Sequence, residues 1–366
     1  MKALVNICRC ILAATFMFSG FVKANDPLGM QYKLQDYFAV WHINNIPETL
    51  FLITAILIAI FEFSLGIYYA LGIKRELVTK VSLIFMIAMT ILTIYIVIFN
   101  PVSDCGCFGD AIILTNVQTL IKNLILLTAT VITTLKWKLI QPILSKHIDW
   151  IITTTAIVGI IAYTTYAIYA LPPIDFRPYK IGTDLVKALN DGNHHPQFDV
   201  TIVYEKDGVK KELSIDDEDP DSTWKYVETK RTPVESTNNG IIDLYIEADN
   251  EDITNDIITP NGDIFLLIAP DLNTADQGSI DKINEIYDFT CQKDDVEFYC
   301  ITASDSSLQQ KWIDYTGAEY IIYNSDERIL KTMVRANPGV IYIHNGVITK
   351  KWSNWNIPTI QELNKL

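Results

Sequence analysis

At 366 residues the chain has room for two domains, and 49% of it is apolar, with the excess gathered at the front. Residues 1–170 carry a net charge of +3, so the remainder holds −17 of the total −14. A tail this acidic is repelled by nucleic-acid phosphates and by anionic lipid headgroups, which argues against nucleic-acid binding.

A bilayer core of ~30 Å takes about 20 apolar residues as helix. Five runs meet this, over about 4–22, 49–71, 81–99, 117–135 and 150–171. The first resembles a signal peptide, with Lys2 before an apolar middle and Ala24 at its end. Arg9 interrupts that run and Lys23 stands beside the cut point, so retention as a helix is expected. Cys8 and Cys10 flank Arg9 and point about 200° apart on a regular helix, which prevents bridging and makes them apolar filler.

Orientation follows from the short loops. The 72–80 loop holds Lys74, Arg75 and Lys80, and the 136–149 loop holds Lys136, Lys138 and Lys146. The 100–116 loop has no Lys or Arg, only Asp104 and Asp110. The basic loops are therefore expected in the cytoplasm. Five spans then put the amino terminus inside and the acidic tail outside, in the periplasm if the membrane is an inner one.

Glu62 falls in the middle of the second span, where a carboxylate costs about 2.5–3.5 kcal/mol to insert and should face the bundle interior. It is read either as a proton carrier or quinone contact, or as a protonated side chain bonding to a nearby Ser, Thr or Tyr. Lys122 sits about 10 Å shallower at 1.5 Å per residue, so no direct pair with Glu62 is expected.

The outer loop NPVSDCGCFGD, residues 100–110, holds Cys105 and Cys107 either side of Gly106. An i, i+2 disulfide needs a tight bend, which Gly106 permits. A strained, exposed bridge of that kind exchanges readily. Lys122 favours the thiolate, whereas Asp104 and Asp110 oppose it. Three readings stand: a redox-active pair, a structural staple, or a metal-binding or inert pair, two soft ligands being too few for structural zinc.

The opening from Arg9 to Phe38, with Ser19, Gly20 and Lys23 closing the first helix, resembles the DoxX family. The Cys-Gly-Cys-Phe-Gly loop, followed by Lys122 and Asn123, resembles the related MauE group. The resemblance covers about residues 9–135 and implies a four-helix integral membrane domain tied to thiol or quinone redox work. For MauE it implies assistance to disulfide formation in an exported partner. On that basis Cys105 and Cys107 are the candidate catalytic residues, Gly106, Lys122, Asn123 and Glu62 support them, and a membrane quinone is the candidate electron acceptor.

The composition break near 171–173 marks the domain boundary. The expected layout is a four-helix membrane domain over 1–140, a fifth transmembrane helix over 141–172, a lead-in subdomain over 173–250 and a final domain over 251–366. In the lead-in, FDVTIVYEKDGVKKELS reads as a β-hairpin around Asp207-Gly208, and DDEDPDSTW as a solvated acidic turn without calcium-loop spacing. Farther on, strands at 264–269, 296–302 and 319–323 alternate with helices at about 276–289, after Asp305 or Ser306, and after a Ser325 cap. Asn345-Gly346 joins a hairpin over 340–344 and 347–352, and a last helix follows Pro358.

That element order, with Pro338 at the cis-proline position, resembles the thioredoxin-like domains. The departure is the absence of Cys-x-x-Cys after the first core strand, where Ala269-Pro-Asp-Leu-Asn stands. Such a domain is expected to dock a client and to do no dithiol chemistry. Cys291 and Cys300 are expected out of bridging range and structural. His194-His195 reads as a surface loop, since adjacent residues on extended chain diverge and no further ligands accompany them.

Two function classes remain. One is a membrane thiol–disulfide redox protein acting on an exported client. The other is a non-enzymatic envelope scaffold in which the Cys pair is a staple.

Overall fold

The computed structural model describes the chain except residues 42, 44–45, 103, 144–145, 192–197, 207–208, 215–223, 234–241, 250 and 366, and omits the side chains of 146–147, 191, 198–206, 209–214 and 225–233. His194-His195, the Asp207-Gly208 turn and nearly all of the acidic turn lie outside the described residues. The chain forms two compact units, residues 1–177 with 352–357, and residues 178–351 with 358–366.

The first unit is a bundle of α1 (Lys2–Asn25), α2 (Pro27–Val40), α3 (Glu48–Leu71), α4 (Arg75–Phe99), α5 (Asn116–Leu135) and α6 (Lys146–Ala170). Five of its helices are long and apolar enough to cross a membrane, and the protein is a multi-pass membrane protein. Helix α1 packs against α3, α5 and α6. Its crossing with α3 depends on two glycines. A Cβ on Gly20 would stand 2.3 Å from the Phe63 nitrogen, and one on Gly66 would stand 2.5 Å from the Met17 nitrogen. Such small-residue contacts allow backbones to approach where no hydrophobic effect drives helices together.

Arg9 is buried, and its role is to cap a helix. It donates to the carbonyls of Tyr69 at 2.6 Å, Ala70 at 2.7 Å and Gln141 at 2.9 Å. The last carbonyls of α3 have no partner within the helix, so an arginine there satisfies them and favours the negative end of the dipole. Gly72 closes α3 in the left-handed region at φ 71°. The Ile143 amide bonds to the Leu71 carbonyl at 3.0 Å, so the two basic loops meet at one end of the bundle. The 25-residue α4 carries the chain from that end to the other.

Helix α2 was not among the expected elements. Asp26 caps it, accepting from the Gly29 amide at 2.9 Å, and Pro27 occupies its first turn, a start signal legible in the sequence.

In the second unit α7 (Leu185–Asp191) precedes a sheet of β1 (Phe198–Lys206), β2 (Val209–Ser214) and β3 (Lys225–Pro233), ordered β2-β1-β3. The expected hairpin pairs Lys206 with Val209 and Thr201 with Ser214, and β3 adds a third antiparallel strand that was not expected. A second sheet contains β4 (Glu247–Ala248), β5 (Glu251–Asp252), β6 (Asp263–Ala269), β7 (Val296–Thr302), β8 (Ile321–Asn324), β9 (Gly339–His344) and β10 (Val347–Ser353), in the order β10-β9-β6-β7-β8-β4-β5. Strand β6 is parallel to β7 and antiparallel to β9, and β7 is parallel to β8.

The helices of this unit are α8 (Thr254–Ile257), α9 (Ile280–Cys291), α10 (Ser306–Thr316), α11 (Glu327–Met333) and α12 (Ile360–Leu363). Helix α9 buries Ile280, Ile283, Ile286 and Phe289. Asp326, and not Ser325, caps α11, because its carboxylate accepts from the Arg328 and Ile329 amides while Ser325 bonds to the Tyr245 carbonyl. Asn345 and Gly346 have φ of 49° and 78°, the left-handed pair a type I′ turn requires. The Asn337–Pro338 peptide is cis. Cys300 is buried and Cys291 exposed, and the two are not bridged.

Candidate functional site

The Cys-Gly-Cys loop closes the end of the bundle opposite the basic loops. Gly106 has φ +66°, and its amide bonds to Asp104 Oδ1 at 2.8 Å, which folds the chain back on itself. The bend brings the two Sγ atoms to 2.9 Å with no covalent bond between them. Cys105 is buried and Cys107 half-buried. The pair expected to be exposed is thus sheltered by the loop and its neighbours.

Helix α2 provides much of the shelter. Lys33 pairs with Asp104 at 2.7 Å, and the Tyr37 hydroxyl donates to the Cys105 carbonyl at 3.1 Å. Asp104, expected to oppose thiolate formation, is therefore held by a cation of its own. Burial, then the nearby Cys105, pushes the Tyr37 phenol well above its ordinary range.

From below, α1 and α3 reach the loop. Ser19 and Lys23 lie one turn apart on α1 and both donate to the Cys107 carbonyl, at 2.8 and 2.9 Å. Lys23 also donates to Ser19 Oγ at 2.8 Å and to Glu62 Oε2 at 2.6 Å. The ammonium thus bonds to three acceptors, and the side chains of Lys23 and Glu62 are each only 4% exposed. Glu62 therefore faces the interior as expected, but its partner is a cation and not the Ser, Thr or Tyr foreseen. Sequence spacing did not pair them because Lys23 closes one span and Glu62 lies in the next.

Helix α5 completes the surroundings. Thr115 and Gln118 form its capping box, which starts the helix beside the loop. Lys122 stands 4.1 Å from the centre of the Phe108 ring, a cation–π contact, and Phe108 packs edge-on against Phe18. Asn123, expected to support the thiols, instead bonds to Thr93 at 3.3 Å and Met89 at 3.5 Å, tying α5 to α4. A small recess at the loop is lined by Cys105, Cys107, Phe108, Ile112, Leu114 and Thr119.

These contacts make the two thiols unequal. The Cys105 hydrogen bond is the largest influence on Cys107 and outweighs burial; with Lys122 and Lys23 adding to it, the thiol is held down at about 6. Cys105 moves the other way, first because its proton is shared with Cys107 and then because it is buried. The two thiols are thus shifted in opposite directions, Cys107 toward the thiolate and Cys105 away from it. Among the described residues no His/Cys/Asp/Glu cluster suited to a metal is present.

Residues 198–236 match a domain of unknown function (DUF8463). No curated protein and no solved structure matches the chain. Every residue of the thiol site lies inside the stretch, residues 1–136, that matches the family model of methylamine utilisation protein MauE.

Proposed function

We propose that the protein is a membrane thiol–disulfide redox factor in which Cys105 and Cys107 exchange a disulfide with an exported client. The observation that carries this reading is the unequal dithiol: two sulfurs 2.9 Å apart, one buried and one half-buried, with cations of α1 and α5 near the half-buried one. A staple would need no such inequality. The MauE match is consistent with a maturation role at the membrane.

In the oxidising direction a client thiolate attacks Cys107 of the disulfide form. The Cys105–Cys107 bond breaks, Cys105 leaves as thiolate and takes up a proton, and Cys107 carries the client. The second client thiolate then attacks its neighbour's sulfur and releases Cys107. The client has lost two electrons and two protons, and the pair now holds the electrons as thiols. Reoxidation requires a two-electron acceptor, and a membrane quinone, becoming quinol, is the acceptor of the right chemistry.

Lys and Arg in the two loops at one end, and none in the Cys loop at the other, support a cytoplasmic basic end and an outward thiol site. That charge pattern supports an inner-membrane protein with its second unit in the periplasm. Strand order β10-β9-β6-β7 with a parallel β6–β7 pair supports a thioredoxin-like reading of that unit. Pro270-Asp271-Leu272-Asn273 follows β6 without a cysteine, so the unit would dock a client. The opening motif of Arg9, Ser19, Gly20 and Lys23 supports kinship with DoxX proteins as well.

Trapping tests the reading. Cys105→Ala leaves Cys107 without its resolving partner and should accumulate a mixed disulfide with an exported protein, seen on non-reducing gels. Cys107→Ala should not. Absence of adducts from both variants, with the double variant still supporting function, would favour a scaffold with a structural Cys pair.

A further inference from the structure

A buried ammonium in a membrane bundle is costly unless it is paired and fully bonded. Lys23 meets that requirement in a way that reaches beyond its ion pair. Two of its three contacts, Glu62 and Ser19, hold it within the bundle; the third is the backbone carbonyl of Cys107 at 2.9 Å. Ser19 donates to the same oxygen at 2.8 Å, so both lone pairs of that carbonyl are engaged from α1. Of the loop's two cysteines, only the half-buried one is gripped in this way; the Cys105 carbonyl is held by Tyr37 of α2.

We propose that Lys23 is a positioning residue for Cys107, anchoring its peptide from inside the bundle and fixing a positive charge beside the reactive half of the pair. The inference rests on the thiol-exchange reading for its purpose, though its test does not. Glu62 has a defined part in it. The carboxylate pairs with the ammonium at that depth, at the expense of a like charge facing the thiolate. Lys122 supplies a second cation from α5 through its seat on Phe108. The other charged or titratable groups facing the loop are Cys105 and Asp104 of the loop itself, Asp110 just beyond it, and Lys33 and Tyr37 of α2. Lys33 is engaged with Asp104, which leaves Lys23 and Lys122 to act on the sulfur.

The test is the pH profile of alkylation by iodoacetamide, read at Cys107 by peptide fragmentation, on the reduced full-length protein in lipid nanodiscs. The midpoint for the unaltered chain is expected at about 6. Lys23→Met should raise it by about one unit or more, the scale on which a nearby opposite charge acts. Lys23→Arg, which keeps the charge, should stay near the original midpoint. Ser19→Ala removes one anchor of the carbonyl without removing charge and should leave the midpoint in place. If Lys23→Met does not fold because Glu62 is left unpaired, Lys23→Met with Glu62→Gln gives a neutral pair of similar shape. The midpoint should still rise there, by less, because the ammonium bonds to Cys107 directly and the carboxylate only through it. An unchanged midpoint in the folded variant lacking the ammonium overturns the proposal, as does an equal rise in Ser19→Ala, which would assign the effect to anchoring alone. Failure of client trapping with a shifted midpoint would reject the exchange reading and leave the role of Lys23 standing.

Discussion

At the scale of single residues, the site depends on how one glycine bends the chain. Gly106 has φ +66°, and a Cβ there would meet the Lys33 side chain at 3.2 Å. An L-residue in that region pays about 1–2 kcal/mol. Gly106→Ala should therefore open the loop locally and raise the alkylation rate of buried Cys105 by roughly fivefold to thirtyfold, the ratio equivalent to that energy. An unchanged Cys105 rate would mean that α2 alone shelters the thiol. Asp326 illustrates a residue whose contribution is purely local. Asp326→Ala removes the acceptor for two amides at the start of α11 and should lower stability by about 1 kcal/mol, measured by denaturant unfolding of the full chain.

At the scale of elements, the α1–α3 crossing decides whether Lys23 can meet Glu62 at all. The two helices approach closely because Gly20 and Gly66 present no side chain to the facing backbone. Gly66→Leu would force a side chain into the main chain of Met17, and the resulting overpacking should cost at least about 1–3 kcal/mol. A lowered melting temperature in nanodiscs, together with loss of the low Cys107 alkylation midpoint, is the expected outcome. Gly159 on α6 provides the contrast. Nothing lies within 4 Å of its Cβ position, so Gly159→Ala should be neutral or stabilising by about 0.5–1 kcal/mol. Equal effects from the two substitutions would show that the crossing does not depend on close approach.

For the whole molecule, function depends on which side of the membrane the thiols face. The two basic loops meet each other at one end, through Ile143 and Leu71, and the Cys loop caps the other. In a variant lacking all cysteines, Asp110→Cys should react with an impermeant maleimide in intact cells, and Lys138→Cys should react only after the membrane is opened. The reverse pattern would put the pair in a reducing compartment, where a stable disulfide does not persist.

The amino-acid sequence by itself determined the five apolar runs, the charge asymmetry between the loops, the bend at Gly106 and the β-α-β and hairpin order of the acidic tail. Each of these is a local property: run length, loop charge, the backbone freedom of one residue, or the period of apolar side chains. Tertiary structure alone decided the pairing of Lys23 with Glu62 and the grip of Lys23 and Ser19 on Cys107, and it bonded Asn123 to α4. It also placed α2 over Cys105, although the Asp26-Pro27 start of that helix was legible. Contacts between residues about 40 and 85 positions apart arise from how helices cross, and a crossing set by two glycines leaves no periodic trace in the chain.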